Sequence, residues 1–194
     1  MKVAVFASGT GTNAEALIKA AKTGELGGEI ALVVSDKQHA PVLEKARNLG
    51  VKAEHLSPQS FSNKAAYEQA ILTLLTKEGI DFIVLAGYMR LIGPTLLEAY
   101  QGKMINIHPS LLPAFPGLDA IGQALEAKAD TTGVTIHYVD AGMDTGPVIA
   151  QQQVAIAKGE TRETLTAKIQ AVEHTLYPAV VKQVLNEHVE GEQQ

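Results

Sequence analysis

The sequence predicts an α/β fold: one mostly parallel sheet with helices on both faces and an antiparallel strand pair towards the C-terminus. Three observations predict it. Over the first two-thirds of the 194 residues, short continuous apolar runs alternate with longer segments whose apolar residues recur at helical spacing. A glycine-rich turn, Ser8-Gly9-Thr10-Gly11, joins the first apolar run to the first helical segment. After Pro109 the texture changes to a proline-rich loop, a short helix and two strands joined by a glycine-rich loop.

The elements follow in order. Residues Val3 to Ala7 are apolar without a break, as a strand buried on both faces requires, and Asn13 to Lys22 is helical. Residues Ile30 to Ser35 form the second strand. Pro41 opens the next helix, because its fixed φ suits a first helical turn. Lys52 to Leu56 is a weaker third strand. Ser62 to Lys77 is a helix with Tyr67, Ile71, Leu74 and Leu75 on one face. Phe82 to Ala86 and Met104 to Ile107 are further strands, with a helix near Pro94 to Tyr100 between them. A helix is expected around Ile121 to Ala127, then strands at Gly133 to Val139 and Pro147 to Ile156 that add to the sheet edge as an antiparallel pair. A long last helix starts near Arg162, with Leu165, Ile169, Val172, Leu176 and Val180 as its buried stripe. The whole describes a single-domain, Rossmann-like fold over residues 1–186 with a polar tail over 187–194.

Composition narrows the function. Apolar residues make up 46% and charged residues 19%, an ordinary globular balance. With a net charge of −5, no broad attraction to nucleic acid or anionic lipid is implied, and neither is expected as a partner. An anionic ligand would need a local site. The absence of cysteine excludes disulfides, thiolate catalysis and Cys-based zinc sites. The apolar run Met1 to Ala7 is too short for a signal-peptide core or a membrane span, so a cytoplasmic location is expected. A monomer and a homodimer both remain open.

In an open parallel sheet, ligands bind beyond the carboxyl ends of the strands. The residues to weigh are therefore Ser8 to Asn13, Gly87 to Ile92 and Asn106 to Pro113. In the first segment, glycines let the backbone approach a ligand, and the helix that follows presents unpaired amides and a positive dipole end. Phosphate suits such a site. The same residues also fit the dinucleotide pattern Gly-x-Gly-x-x-Ala, with Asp36 ending the second strand where a ribose-binding acid would sit. The loop alone fits both readings equally. In the last segment, Asn106 and His108 lie two apart on a strand and face the same way. An amide donor beside an imidazole suits a developing oxyanion and proton transfer. A core histidine with a hydrogen-bonded asparagine accounts for the pair as well. Asp144, in the loop Asp140 to Pro147, could orient His108 and favour the charged imidazole; an Asx-turn residue beside glycine is the plainer account. Spacing does not choose between them.

The loop Ser-Gly-Thr-Gly-Thr-Asn, the segment Asn106 through Pro113 and the Asp144-Thr-Gly-Pro loop together resemble the folate-dependent formyltransferases, and among them the branch acting on glycinamide ribonucleotide. The resemblance runs over nearly the whole chain, in order; Asn-x-His-Pro-Ser-Leu-Leu-Pro is its most specific part. It implies 10-formyltetrahydrofolate as cosubstrate, no metal, and glycinamide ribonucleotide as acceptor in purine biosynthesis. It also implies Asn106, His108 and Asp144 as catalytic residues. Gly11, Thr12, Asn13, Pro109 and Glu173 would meet the ribonucleotide. Lys64, Met89, Arg90, Leu91, Ile92 and Asn106 would meet the folate. Lys64 stands where such proteins often have Arg, which keeps the charge and loses the planar fork. Asp119 stands where many have His. A formyl-folate hydrolase would share Asn, His and Asp, but is expected to carry a further N-terminal domain. A methionyl-tRNA formyltransferase is expected to carry a longer C-terminal domain and a basic surface. A dinucleotide-binding oxidoreductase or sensor is the alternative from another class.

Overall fold

The computed structural model describes residues 1–192. Seven strands form one sheet: β1 (Lys2–Phe6), β2 (Glu29–Ser35), β3 (Lys52–His55), β4 (Phe82–Leu85), β5 (Met104–His108), β6 (Thr131–Tyr138) and β7 (Val148–Ala155). Six helices cover it: α1 (Thr12–Lys22), α2 (Pro41–Asn48), α3 (Lys64–Glu78), α4 (Pro94–Ala99), α5 (Ala120–Glu126) and α6 (Arg162–Glu192). The strand order is β3-β2-β1-β4-β5-β6-β7. Pairs from β3 to β5 are parallel, and β6 and β7 add in antiparallel fashion. The α/β fold class and the antiparallel C-terminal pair are as the sequence predicts.

Strand alternation divides the core in two. Val3 and Val5 of β1 pack with α1, α2 and α6, while Ala4 and Phe6 pack with α3 and α4 on the opposite face. All four are fully buried, which is why the strand reads as one apolar run. Burying a side chain the size of Phe6 contributes about 2–3 kcal/mol by area.

Local chemistry sets the helix ends. Pro41 and Pro94 occupy first turns. The side chain of Asn63 accepts from Ala66 N at 2.8 Å to cap α3, and Gly79 closes that helix in the left-handed region at φ 68°. A short 3-10 turn at Pro58–Ser60 precedes it, which the sequence reading does not anticipate.

The last helix departs from expectation in two ways. It runs on to Glu192, through most of the stretch read as a polar tail; residues 193 and 194 of that stretch lie outside the described residues. Of the expected stripe, Leu165, Ile169 and Val180 are buried and Val172 and Leu176 only partly so, and the buried face also takes in Glu173, Tyr177, Val181, Val184 and Leu185. A spacing of four repeats along this face, so Glu173 holds a core-facing position between Ile169 and Tyr177. Tyr177 is fully buried, and its hydroxyl donates to the Leu85 carbonyl at the end of β4, 2.6 Å away.

The chain winds outward from β1 to β3, then returns to the other side of β1 as β4. Loops leaving β1 and β4 thus part in opposite directions and open a crevice at the carboxyl edge.

Candidate active site

A cleft of about 470 Å³ occupies that crevice, within the usual range for small-molecule sites. It is lined by the loops after β1, β4 and β5, by the loop between β6 and β7, and by the first half of α6. Every residue that the resemblance assigns to catalysis, the ribonucleotide or the folate lines it except Lys64, which opens α3 and whose Cε lies near Gly93 behind the β4 loop; Ser8, Asp36 and residues 110–113 are not part of the lining.

On one side lies the glycine loop. Gly11 precedes α1 at φ 74°, and a Cβ there would stand 2.3 Å from Val42 Cγ2. Only glycine fits. Nothing lies within 4 Å of a Cβ added at Gly9. No side chain caps α1 at Gly11, and first-turn amides have no partner within their own helix. Thr12 and Asn13 therefore bring an uncapped helix start to the cleft, a place suited to an anion. Asn13 Nδ2 donates to Glu173 Oε2 at 3.0 Å, while Asn13 Oδ1 is buried without a partner. Glu173 is 7% exposed. Burial pushes its carboxyl above the ordinary range, and the bond from Asn13 partly opposes this.

The β4 loop forms the opposite wall. Met89 and Leu91 are largely exposed, whereas Ile92 is buried against the α3–α4 face. Burial raises the Tyr88 hydroxyl far above its usual range, so it stays protonated and serves as a hydrogen-bonding group only.

Between the walls, β5 presents Asn106 and His108 on one face. Register places His137 of β6 directly opposite Asn106, and Asn106 Nδ2 lies 3.4 Å from His137 Nε2. His137 Nδ1 lies 2.8 Å from the Tyr138 carbonyl. A carbonyl can only accept, so Nδ1 carries the proton and Nε2 of the neutral ring is free to accept from Asn106. Asp144 reaches both imidazoles: Oδ2 is 3.5 Å from His108 Nδ1, and Oδ1 is 3.8 Å from His137 Nε2. Asp144 adopts φ 55°, a left-handed turn conformation, and its Oδ2 also accepts from Gly117 N at 2.8 Å. The turn role and the His108 contact are thus two properties of one residue. His108 Nε2 lies 2.9 Å from the Phe115 carbonyl, so both ring nitrogens face acceptors, and only the doubly protonated ring can donate to both.

Sequence reasoning missed His137, which the antiparallel register alone brings to Asn106. The strap of residues 114–119, in which the sequence marks Asp119, lies beside Asp144. Phe115 and Asp119 there have positive φ, and Asp119 makes two hydrogen bonds to Arg162 at the start of α6, at 2.5 and 2.9 Å.

A parallel α/β sheet with a cleft at its carboxyl edge is the frame of a formyl transferase, and the chain belongs to that family, whose model matches residues 1–181. It is similar to the phosphoribosylglycinamide formyltransferase of Bacillus subtilis, 51% identical over 191 residues that cover 98% of each chain. The Escherichia coli protein of the same name is 38% identical, over 93% of this chain and 85% of that one. Among solved structures, phosphoribosylglycinamide formyltransferase from Bacillus halodurans superposes with a TM-score of 0.93 at 57% identity, covering 95% of both chains. Glycinamide ribonucleotide transformylase 1 from Geobacillus kaustophilus gives 0.92 at 58% identity, covering 95% of this chain and 98% of that one. No helix among the described residues is long and apolar enough to cross a membrane.

Proposed function

We propose that the protein transfers a formyl group from 10-formyltetrahydrofolate to the amine of glycinamide ribonucleotide, in de novo purine biosynthesis. The observation that carries this reading is the convergence of Asn106, His108 and Asp144 in a cleft with an anion-binding helix start on one side and an apolar loop on the other. The ribonucleotide's phosphate sits at the amides of Gly11 to Asn13, with Glu173 and Pro109 beside the rest of the nucleotide. The folate lies along Met89 to Ile92, with Asn106 at its reactive end. Lys64, behind that loop, is left to any part of the folate that extends past it.

The substrate amine attacks the formyl carbon, and the carbonyl oxygen gains charge. Asn106 Nδ2 donates to it, and His108 Nε2–H does so as well by exchanging the Phe115 carbonyl for the developing oxyanion. His137 holds the Asn106 amide by accepting its other hydrogen, and Asp144 orients His108 from the Nδ1 side. Collapse expels the folate nitrogen, which takes the proton lost by the amine through His108 or an ordered water. The reading calls on no metal.

The decisive assay offers purified protein 10-formyltetrahydrofolate with glycinamide ribonucleotide, and with water alone. Transfer to the amine at a rate far above loss to water is expected. Equal rates would assign the chain to formyl-folate hydrolysis instead.

A further inference from the structure

The β4 loop has a mechanical problem. Met89 and Leu91 are 60% and 46% exposed, so burial of apolar side chains does not fix its outer half. Polar bonds do. Ser8 N donates to the Gly87 carbonyl at 3.0 Å, and Met89 N donates to Ser8 Oγ at 2.9 Å. The Ser8 hydroxyl spends its single proton on Asp36 Oδ1, 2.6 Å away. That commitment aims its lone pair at Met89 N. The Asp36 side chain is only 2% exposed, and its Oδ2 lies 3.9 Å from Arg90 Nη1. The same guanidinium lies 5.8 Å from the centroid of the Tyr67 ring. At the loop's far end, Gly93 N donates to Glu68 Oε2 at 2.7 Å.

We infer that Asp36 is a positioning residue for the formyl-donor side of the cleft, acting through Ser8 and Arg90 to set the backbone of Met89 to Leu91. The inference rests on reading that loop as the donor's wall. Asp36 stands at the end of β2 and reaches across the end of β1 to a loop of β4. Backbone bonds already join these strands past their ends, from Ala7 N to Val34 O and from Ala86 N to Phe6 O. Sheet integrity therefore does not need the carboxylate. A carboxylate is costly to bury, and here the Ser8 hydroxyl and the Arg90 charge offset the cost. The arrangement also closes the dinucleotide alternative at this position: an acid that reads a ribose must face the cleft, and this one is turned inward and occupied.

The test compares steady-state kinetics of wild type, Asp36→Asn, Asp36→Ala and Ser8→Ala, varying formyl-folate and ribonucleotide separately. Asp36→Ala and Ser8→Ala should raise the donor's KM about tenfold, the scale of one charge-assisted hydrogen bond. Asp36→Asn keeps an acceptor for Ser8 and loses only the charge, so it should fall between. The ribonucleotide's KM and kcat at saturating donor should stay within about twofold of wild type. A merely structural role would shift both KM values and kcat together, and that result, or an unchanged donor KM in Asp36→Ala, overturns the inference. Replacing Arg90 by Ala should also matter less in the Asp36→Asn background than in wild type. Should Asp36→Ala not fold, Asp36→Asn and this cycle carry the test. Tetrahydrofolate binding by calorimetry separates the two ideas. A wild type that transfers no formyl group but binds tetrahydrofolate more tightly than Asp36→Ala sinks the transfer reading alone. A wild type that binds no folate sinks both.

Discussion

Asp144 touches both imidazoles of the cleft and the backbone of the strap, so replacing it probes charge separately from shape. Asp144→Asn retains an acceptor for Gly117 N and removes the negative charge beside His108. Turnover should fall by roughly two or more orders of magnitude, with both KM values changing a few-fold at most. Steady-state kinetics check this, and full activity in the variant would reduce Asp144 to its turn. Glu173 gives a second expectation, in stability. Burial raises its carboxyl above the ordinary value of 4.5. A group raised on folding adds stability below its unfolded pKa and loses it as pH climbs through the folded one. Glu173→Gln removes that loss while its amide oxygen still accepts from Asn13. The variant should therefore resist urea better than wild type at pH 8, and the advantage should fade towards acid. A variant weaker than wild type at pH 8 would mean that something else stabilises the carboxylate. It should also bind the ribonucleotide less tightly. Much of this site was legible in the chain: Asn106 and His108 share a strand face, so period two suffices to pair them. His137 was not, because its partnership depends on a register between β5 and β6 that no local pattern encodes.

Elements explain why the glycine loop tolerates so little. Gly11 combines a positive φ with a position 2.3 Å, at its missing Cβ, from a side-chain atom of α2 and 3.0 Å from that residue's Cα. Gly11→Ala should destabilise the fold by roughly 2–4 kcal/mol, from left-handed strain plus overpacking. Gly9→Ala, with open space around the added carbon, should stay within about 1 kcal/mol of wild type. Urea unfolding of the two variants side by side decides it; equal loss would mean that α2 yields easily. The strands and helices were legible to within a few residues, because strands buried on both faces are written as unbroken apolar runs. The end of α6 was not, since polar residues beyond Glu187 give no buried stripe from which to read a helix. The core-facing place of Glu173, a residue that the resemblance names, was unreadable from periodicity for a related reason: a carboxylate inside a stripe looks like a gap in the pattern.

At the scale of the molecule, the cleft belongs to neither half of the chain. Helix α6 reaches it from one face of the sheet, and the loop entering α4 from the other. The Tyr177 hydroxyl ties α6 to the end of β4 and the first half of β5, donating to Leu85 O at 2.6 Å with Ile105 O at 3.5 Å. Tyr177→Phe leaves the ring in place and removes that tie at full burial. It should cost about 1–2 kcal/mol, which lowers the melting temperature by roughly 2–8 °C in a chain of this size. Calorimetry would show it, and an unchanged melting temperature would mean that apolar packing alone seats the helix. The bond from Asn13 to Glu173 spans 160 residues of sequence. During synthesis, a nascent chain that has emerged only as far as β7 already holds the glycine loop, β5, β6 and the Asp144 turn, yet it lacks Glu173, the partner of Asn13. On the function proposed above, activity should therefore appear only once the last helix has docked.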